Sequence, residues 1–144
     1  MPLIAEKYYP YAGGLLATLA WWGLNAEFPA SRITAILSAS LTFGAITTGF
    51  LATAKAILLS LDGKTIMADL RESGYVQNLI SYLAQAIWLS FAFCIVNLTG
   101  FFLIGQNNLP AIYEVIWFFI GVCAPLAFSR VIHLFLLILK ESHK

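Results

Sequence analysis

Charged residues are scarce in this sequence, and their scarcity limits what the protein can be. Lysine and arginine number eight, aspartate and glutamate seven, so that 10% of the 144 residues are charged and 60% are hydrophobic. The mean hydropathy is +0.84. A water-soluble protein of this size could not bury so much apolar surface. The composition therefore excludes an ordinary soluble domain and indicates an integral membrane protein.

Sequence motifs of catalysis and cofactor binding are absent as well. The chain has no glycine-rich phosphate loop, no histidine pair at metal-ligand spacing and no Ser/His/Asp set that falls on one side of the membrane. The two cysteines, Cys94 and Cys123, lie within apolar segments without such spacing, which predicts small thiols in the core. We therefore expect no enzyme activity, no cofactor and no metal.

Four long apolar runs occupy most of the chain. They cover about residues 8–28, 33–61, 75–104 and 109–139, each at or above the ~20 residues that cross a ~30 Å hydrocarbon core. Continuous runs of this length are not the short alternating strands of a membrane barrel. The sequence thus predicts an all-α integral membrane bundle of four transmembrane helices that forms a single domain.

Lysine and arginine are distributed unequally between the two predicted sides of the membrane. One side bears both termini and the central connection, and it carries Lys7, Lys55, Lys64, Arg71, Arg130, Lys140 and Lys144. The other side carries Arg32. By the positive-inside rule, both termini and the central connection are cytoplasmic. The second and third runs exceed the needed length, so we expect both helices to extend into the cytoplasm, joined by a turn near Asp62-Gly63.

A regular pattern of small and hydroxyl-bearing residues runs along the second apolar segment. Its members recur at alternating spacings of four and three and form a small-residue seam: Ser38, Thr42, Ala45, Gly49, Ala52 and Ala56. Such a seam lets helix backbones approach closely in lipid. Alternatively, it faces the axis of a homo-oligomer, where the hydroxyls of Ser38 and Thr42 would meet water or ions. The sequence leaves both interpretations open.

Polar residues inside the predicted spans are candidate functional groups. Gln85 and Asn97 are predicted to donate hydrogen bonds between helices. Glu114 lies about one turn inside the outer boundary, where it either reaches the outer headgroups or has a functional role.

Three basic residues lie near the predicted cytoplasmic boundary. Lys55, Arg130 and His133 together could form a basic mouth suited to anionic lipid headgroups or to a nucleotide-like ligand. Ordinary anchoring to the inner leaflet is the alternative.

Two short segments carry a family resemblance. Leu41-Thr42-Phe43 in the second run and Arg71-Glu72-Ser73-Gly74-Tyr75 before the third resemble the RexB-type phage-exclusion proteins, which are four-helix inner-membrane proteins, and the likeness is best over residues 39–93. The resemblance implies an ion channel or depolarising effector of antiviral defence that lies in the inner, or cell, membrane and that a cytoplasmic partner or signal switches on.

Together these features predict a homo-oligomeric membrane effector that forms a gated ion-conducting or depolarising pore. Its expected partners are membrane lipid, further copies of the chain and either an anionic cytoplasmic signal or an activating partner protein. A structural or accessory subunit is the alternative, because the same seam could pack against another membrane protein.

Overall fold

The computed structural model of the protein is built from four α-helices among its described residues. The helices are α1 (Leu3–Gly23), α2 (Ile33–Ser60), α3 (Tyr75–Leu103) and α4 (Ala111–Glu141), and a short 3-10 helix (Ala30–Arg32) precedes α2. The structure describes residues 3–24, 30–60, 75–104 and 110–141. The described secondary structure is helical throughout, which confirms the predicted all-α class.

Three of the described helices are long and apolar enough to cross a membrane. They are α2, the part of α3 from Asn78 to Leu103, and the part of α4 from Ala111 to Leu136. Three helices of this kind fit a multi-pass membrane protein. The prediction of four such spans is therefore supported for three of them.

Helix α1 differs from the predicted first span. It begins at Leu3 and ends at Gly23, whereas the sequence predicted a span over residues 8–28. Good helix formers, including Glu6 and Lys7, carry the helix upstream of the apolar run, and Gly23 is a typical residue at a helix end. The helix thus includes two charged residues that the predicted span left out.

The four helices form an open row in the order α1, α4, α3, α2. Extensive contacts join α1 to α4, α4 to α3 and α3 to α2, whereas α2 touches α4 at only a few positions. Consequently α1 and α2, although consecutive in sequence, lie at opposite edges of the row. Each of these edge helices has one broad face that the rest of the described chain does not cover.

The contact between α1 and α4 depends on a close approach at Gly14. A Cβ atom on Gly14 would collide with the Cys123 sulfur. Next to it, the Cys123 thiol donates a hydrogen bond of 3.3 Å to the carbonyl oxygen of Pro10, and the rings of Trp21 and Phe118 stack with centroids 4.6 Å apart. Small residues permit such close contact between helices. The adjacent glycines of α1 were the signal for this interface, which our sequence analysis missed.

A buried cluster joins α2, α3 and α4 near the level of Lys55 along the α2 axis. Its members are Leu51, Leu79, Tyr82, Leu83, Ala86, Ala127 and Val131. Close packing and van der Waals contact between these apolar side chains hold the three helices together. The cluster fixes the C-terminal part of α4 against the N-terminal part of α3.

Several sequence-based predictions fall outside the described residues. The central connection, residues 61–74, contains the predicted turn at Asp62-Gly63, the basic residues Lys64 and Arg71, and one of the two segments of the RexB-type resemblance. The side chains of Lys7 and Lys140, and all of Lys144, also lie outside the described part.

Candidate functional site

The small-residue seam lies on the uncovered face of α2. All six of its residues, Ser38, Thr42, Ala45, Gly49, Ala52 and Ala56, are exposed. A Cβ atom added to Gly49 would meet no atom within 4 Å. The seam therefore takes no part in packing among the described helices, so the interpretation that it brings helices together applies there only to contacts with another chain.

A different set of residues packs α2 against α3. The buried residues of α2 are Leu37, Gly44, Thr47 and Leu51. A Cβ atom on Gly44 would lie 2.8 Å from the Cys94 sulfur and 3.5 Å from the Ser90 carbonyl oxygen, so the two backbones approach closely at this glycine. The spacing of seven from Leu37 to Gly44 and from Gly44 to Leu51 was the signal for this face.

The hydroxyl groups of α2 bond mainly to their own helix. Thr42 donates to the Ser38 carbonyl oxygen at 2.9 Å, and Thr53, also exposed, donates to the Gly49 carbonyl oxygen at 2.9 Å. Each hydroxyl proton is thereby used, while the oxygen lone pairs are available to other groups. The uncovered face of α2 thus presents hydrogen-bond acceptors to whatever lies against it.

Arg130 is buried between α4 and α3. Its side chain is 8% exposed, its guanidinium carbon lies 4.0 Å from the centre of the Tyr82 ring, and its Nη2 donates a hydrogen bond of 2.6 Å to the side-chain oxygen of Gln85. A buried cation is costly unless it is well bonded. The aromatic face and the amide oxygen offset part of that cost.

The expected basic mouth is therefore not a single exposed surface. Of its three residues, His133 is exposed, Lys55 is half-buried and Arg130 is buried. Arg130 and His133 lie three residues apart on α4, but the helix turns Arg130 toward α3. Sequence reasoning missed this because the burial of Arg130 depends on Tyr82 and Gln85, which belong to another helix.

A second polar contact lies farther along the same two helices. The indole nitrogen of Trp117 donates a 2.9 Å hydrogen bond to the Asn97 side-chain oxygen, and the Asn97 amide nitrogen donates to the Phe93 carbonyl oxygen at 2.7 Å. Asn97 is completely buried. Both Gln85 and Asn97 thus take part in bonds between helices, but they accept these bonds, whereas the sequence analysis expected them to donate.

Tyr113 adds a third bond between α4 and α3. Its hydroxyl donates to the Val96 carbonyl oxygen at 2.9 Å, and Gly100 makes room for it, because a Cβ atom there would collide with the hydroxyl. The neighbouring Glu114 is half-buried in the first turn of α4. An acidic residue at this position is favoured by the helix dipole.

An apolar groove separates α2 from α4 and has a volume of about 410 Å³. Its lining residues are Ala39, Ser40, Phe43, Phe93, Trp117, Phe118, Gly121 and Val122. The two cysteines lie elsewhere, as free thiols. Within the described ranges, no three His, Cys, Asp or Glu residues come together in a group that could hold a metal ion.

Comparisons with known protein families, with curated proteins and with solved structures found no match for this chain.

Proposed function

We propose that the protein is a membrane effector that assembles as a homo-oligomer and forms a gated ion-conducting pore. One observation carries this proposal: all six residues of the small-residue seam are exposed on an edge helix. A row of four helices does not enclose a channel by itself. Several copies that meet along their α2 helices would form the wall of a channel. The seam would then either line the channel or bring the α2 helices of neighbouring copies close together.

The proposed orientation in the membrane follows helix length and charge. Helix α2 has 28 residues and is therefore about 42 Å long, compared with a ~30 Å hydrocarbon core. We place the excess, and both termini, on the cytoplasmic side, where the positive-inside rule puts most lysine and arginine residues. Helix α1 packs closely on α4 and is proposed to insert beside it as the fourth span.

The proposed placement in the inner membrane and the proposed role in antiviral defence both rest on the RexB-type resemblance. An effector of that kind is closed at rest, since an open pore would kill its host. The activating anionic signal or partner protein would reach the exposed His133 and the half-buried Lys55 near the cytoplasmic ends of α4 and α2. Arg130 is not part of this proposed contact, because its guanidinium is engaged with α3.

The test compares two glycines that both have open space in the monomer. Neither Gly49 in the seam nor Gly23 at the end of α1 has an atom within 4 Å of an added Cβ. We expect Gly49→Leu to abolish both the homo-oligomer and the depolarisation of cells that overexpress the protein, because leucine would hold the α2 helices apart. Gly23→Leu should leave both unchanged. Mass measurement in mild detergent and a membrane-potential dye give the two results.

Two outcomes would contradict the proposal. If Gly49→Leu assembles and depolarises cells like the unmodified protein, the seam is not the contact between copies. If the chain does not self-assemble and instead co-purifies with a different membrane protein at fixed stoichiometry, the accessory-subunit interpretation replaces the pore hypothesis.

A further inference from the structure

We propose that residues 126–136 of α4 form a hinged segment that can detach from α3 about Pro125, and that the Arg130 side chain is the latch that holds the segment in place. This proposal concerns the single chain and does not depend on pore formation. Three features of α4 support it: separate attachments to α3 on each side of Pro125, the missing backbone hydrogen bond at the proline, and the contacts of the buried Arg130 side chain with α3.

The part of α4 before Pro125 is firmly attached to α3. Tyr113 donates to the Val96 carbonyl, Trp117 donates to Asn97, and the rings of Trp117 and Phe93 lie 5.8 Å apart. On the α4 side, these contacts all come from residues 111–121. They fix this part of α4 whether or not the rest of the helix moves.

Pro125 weakens the connection between the two parts of α4. It lies inside the helix and has no N–H group to donate to the carbonyl of Gly121, four residues earlier, and its ring crowds that carbonyl. Sharp bends in helices occur mainly at such positions. Residues 126–136 can therefore change direction without breaking a regular hydrogen bond at this point.

The part of α4 after Pro125 is held by Arg130 and by apolar packing. The guanidinium packs on Tyr82 and donates to Gln85. Apolar residues of the segment belong to the buried cluster or pack against it: Ala127, Phe128, Val131, Leu134 and Phe135. The Phe128 ring also reaches Phe50 of α2, with centroids 6.0 Å apart. The ring of Tyr82 and the side-chain oxygen of Gln85 hold the guanidinium only while the segment is packed on α3. Once these contacts are lost, the long arginine side chain could reach the aqueous boundary. The two contacts therefore favour the packed state over the detached one.

The experiment is ¹⁵N relaxation dispersion on the full chain in detergent micelles, which detects exchange between states on the microsecond to millisecond timescale. Arg130→Met keeps much of the aliphatic stem but removes the charge and the hydrogen bond. We expect the population of the minor state to rise about tenfold, as for the loss of one hydrogen bond to a charged group, with exchange confined to residues 126–136. The indole resonance of Trp117 should not change.

Two further variants separate a hinged segment from general loosening of the fold. Asn97→Leu removes the attachment before Pro125 and should produce exchange in residues 111–121 while sparing residues 126–136. Adding Pro125→Ala to Arg130→Met restores the backbone hydrogen bond, so that exchange in residues 126–136 should disappear.

The proposal is overturned if Arg130→Met broadens both parts of α4 equally or broadens neither. Exchange that persists after Pro125→Ala would also overturn it. Should Arg130→Met fail to fold, Gln85→Glu tests the same latch with the opposite sign: a carboxylate partner strengthens the bond to Arg130, and the population of the minor state should fall. A rise in that population would reject the latch.

Discussion

Gly44 and Gly49 lie five residues apart on α2, but they have different surroundings. A side chain on Gly44 would collide with α3 near Cys94, whereas one on Gly49 would meet no atom within 4 Å. The same contrast holds along the helix, since the buried face carries Leu37 and Leu51 and the opposite face carries the exposed seam. Small residues therefore serve packing within the chain at one face of α2 and are available for contact with other molecules at the other.

The largest difference between the two faces is expected for leucine at the two glycines. Gly44→Leu should destabilise the fold by about 3 kcal/mol, since overpacking of a tight contact costs ~1–3 kcal/mol or more. Gly49→Leu should stabilise the monomer slightly, by up to ~0.8 kcal/mol, because leucine favours helix more than glycine does. Unfolding by SDS in mixed micelles, followed by circular dichroism at low protein concentration, measures both. Equal loss of stability would show that the seam also packs within the chain.

A smaller difference is expected when large side chains are shortened. Leu51 is completely buried, whereas Ile57 is 55% exposed. Leu51→Ala should cost about 2 kcal/mol, at the low end of the range for soluble proteins, because lipid solvates the exposed apolar surface of the unfolded state. Ile57→Ala should cost less than ~0.5 kcal/mol. The same SDS titration applies, and a comparable cost at both positions would contradict the assignment of the buried face.

The smallest difference is expected for the two threonines. Thr42 and Thr47 each donate to the carbonyl four residues earlier, at 2.9 and 2.8 Å, so replacement by alanine removes the same kind of hydrogen bond from both. Thr47 is buried and Thr42 is exposed. Thr47→Ala should therefore cost about 1 kcal/mol through lost packing, and Thr42→Ala close to none. If Thr42→Ala were the more damaging change in the monomer, the assignment of the two faces would be reversed.

The helices themselves could be predicted from the length of the apolar runs. The predicted and observed ends of α2, α3 and α4 differ by two residues or fewer, because run length decides whether a helix can cross the hydrocarbon core. The first helix was less predictable. Its N-terminal turns contain Glu6 and Lys7, which favour helix but do not belong to an apolar run.

The faces that pack against one another could not be predicted in the same way. In a membrane helix, the residues that face lipid are as apolar as those that face protein, so the regular spacing of the seam did not show which side was covered. Arg130 is a second example of a packing contact that the sequence of one helix does not predict. Its burial requires Tyr82 and Gln85 on α3, and the periodicity of a single helix contains no information about its neighbour.

The contact between α1 and α4 also bears on how the chain is made. Ribosomes add about 5–20 residues per second, so several seconds separate the synthesis of Gly14 from that of Cys123, the residue against which it packs. Until then, the glycine-bearing face of α1 lacks the α4 residues against which it packs, whereas α2 and α3 can already pair. The contact that places α1 beside α4 therefore forms only after the two helices between them in the sequence have been made.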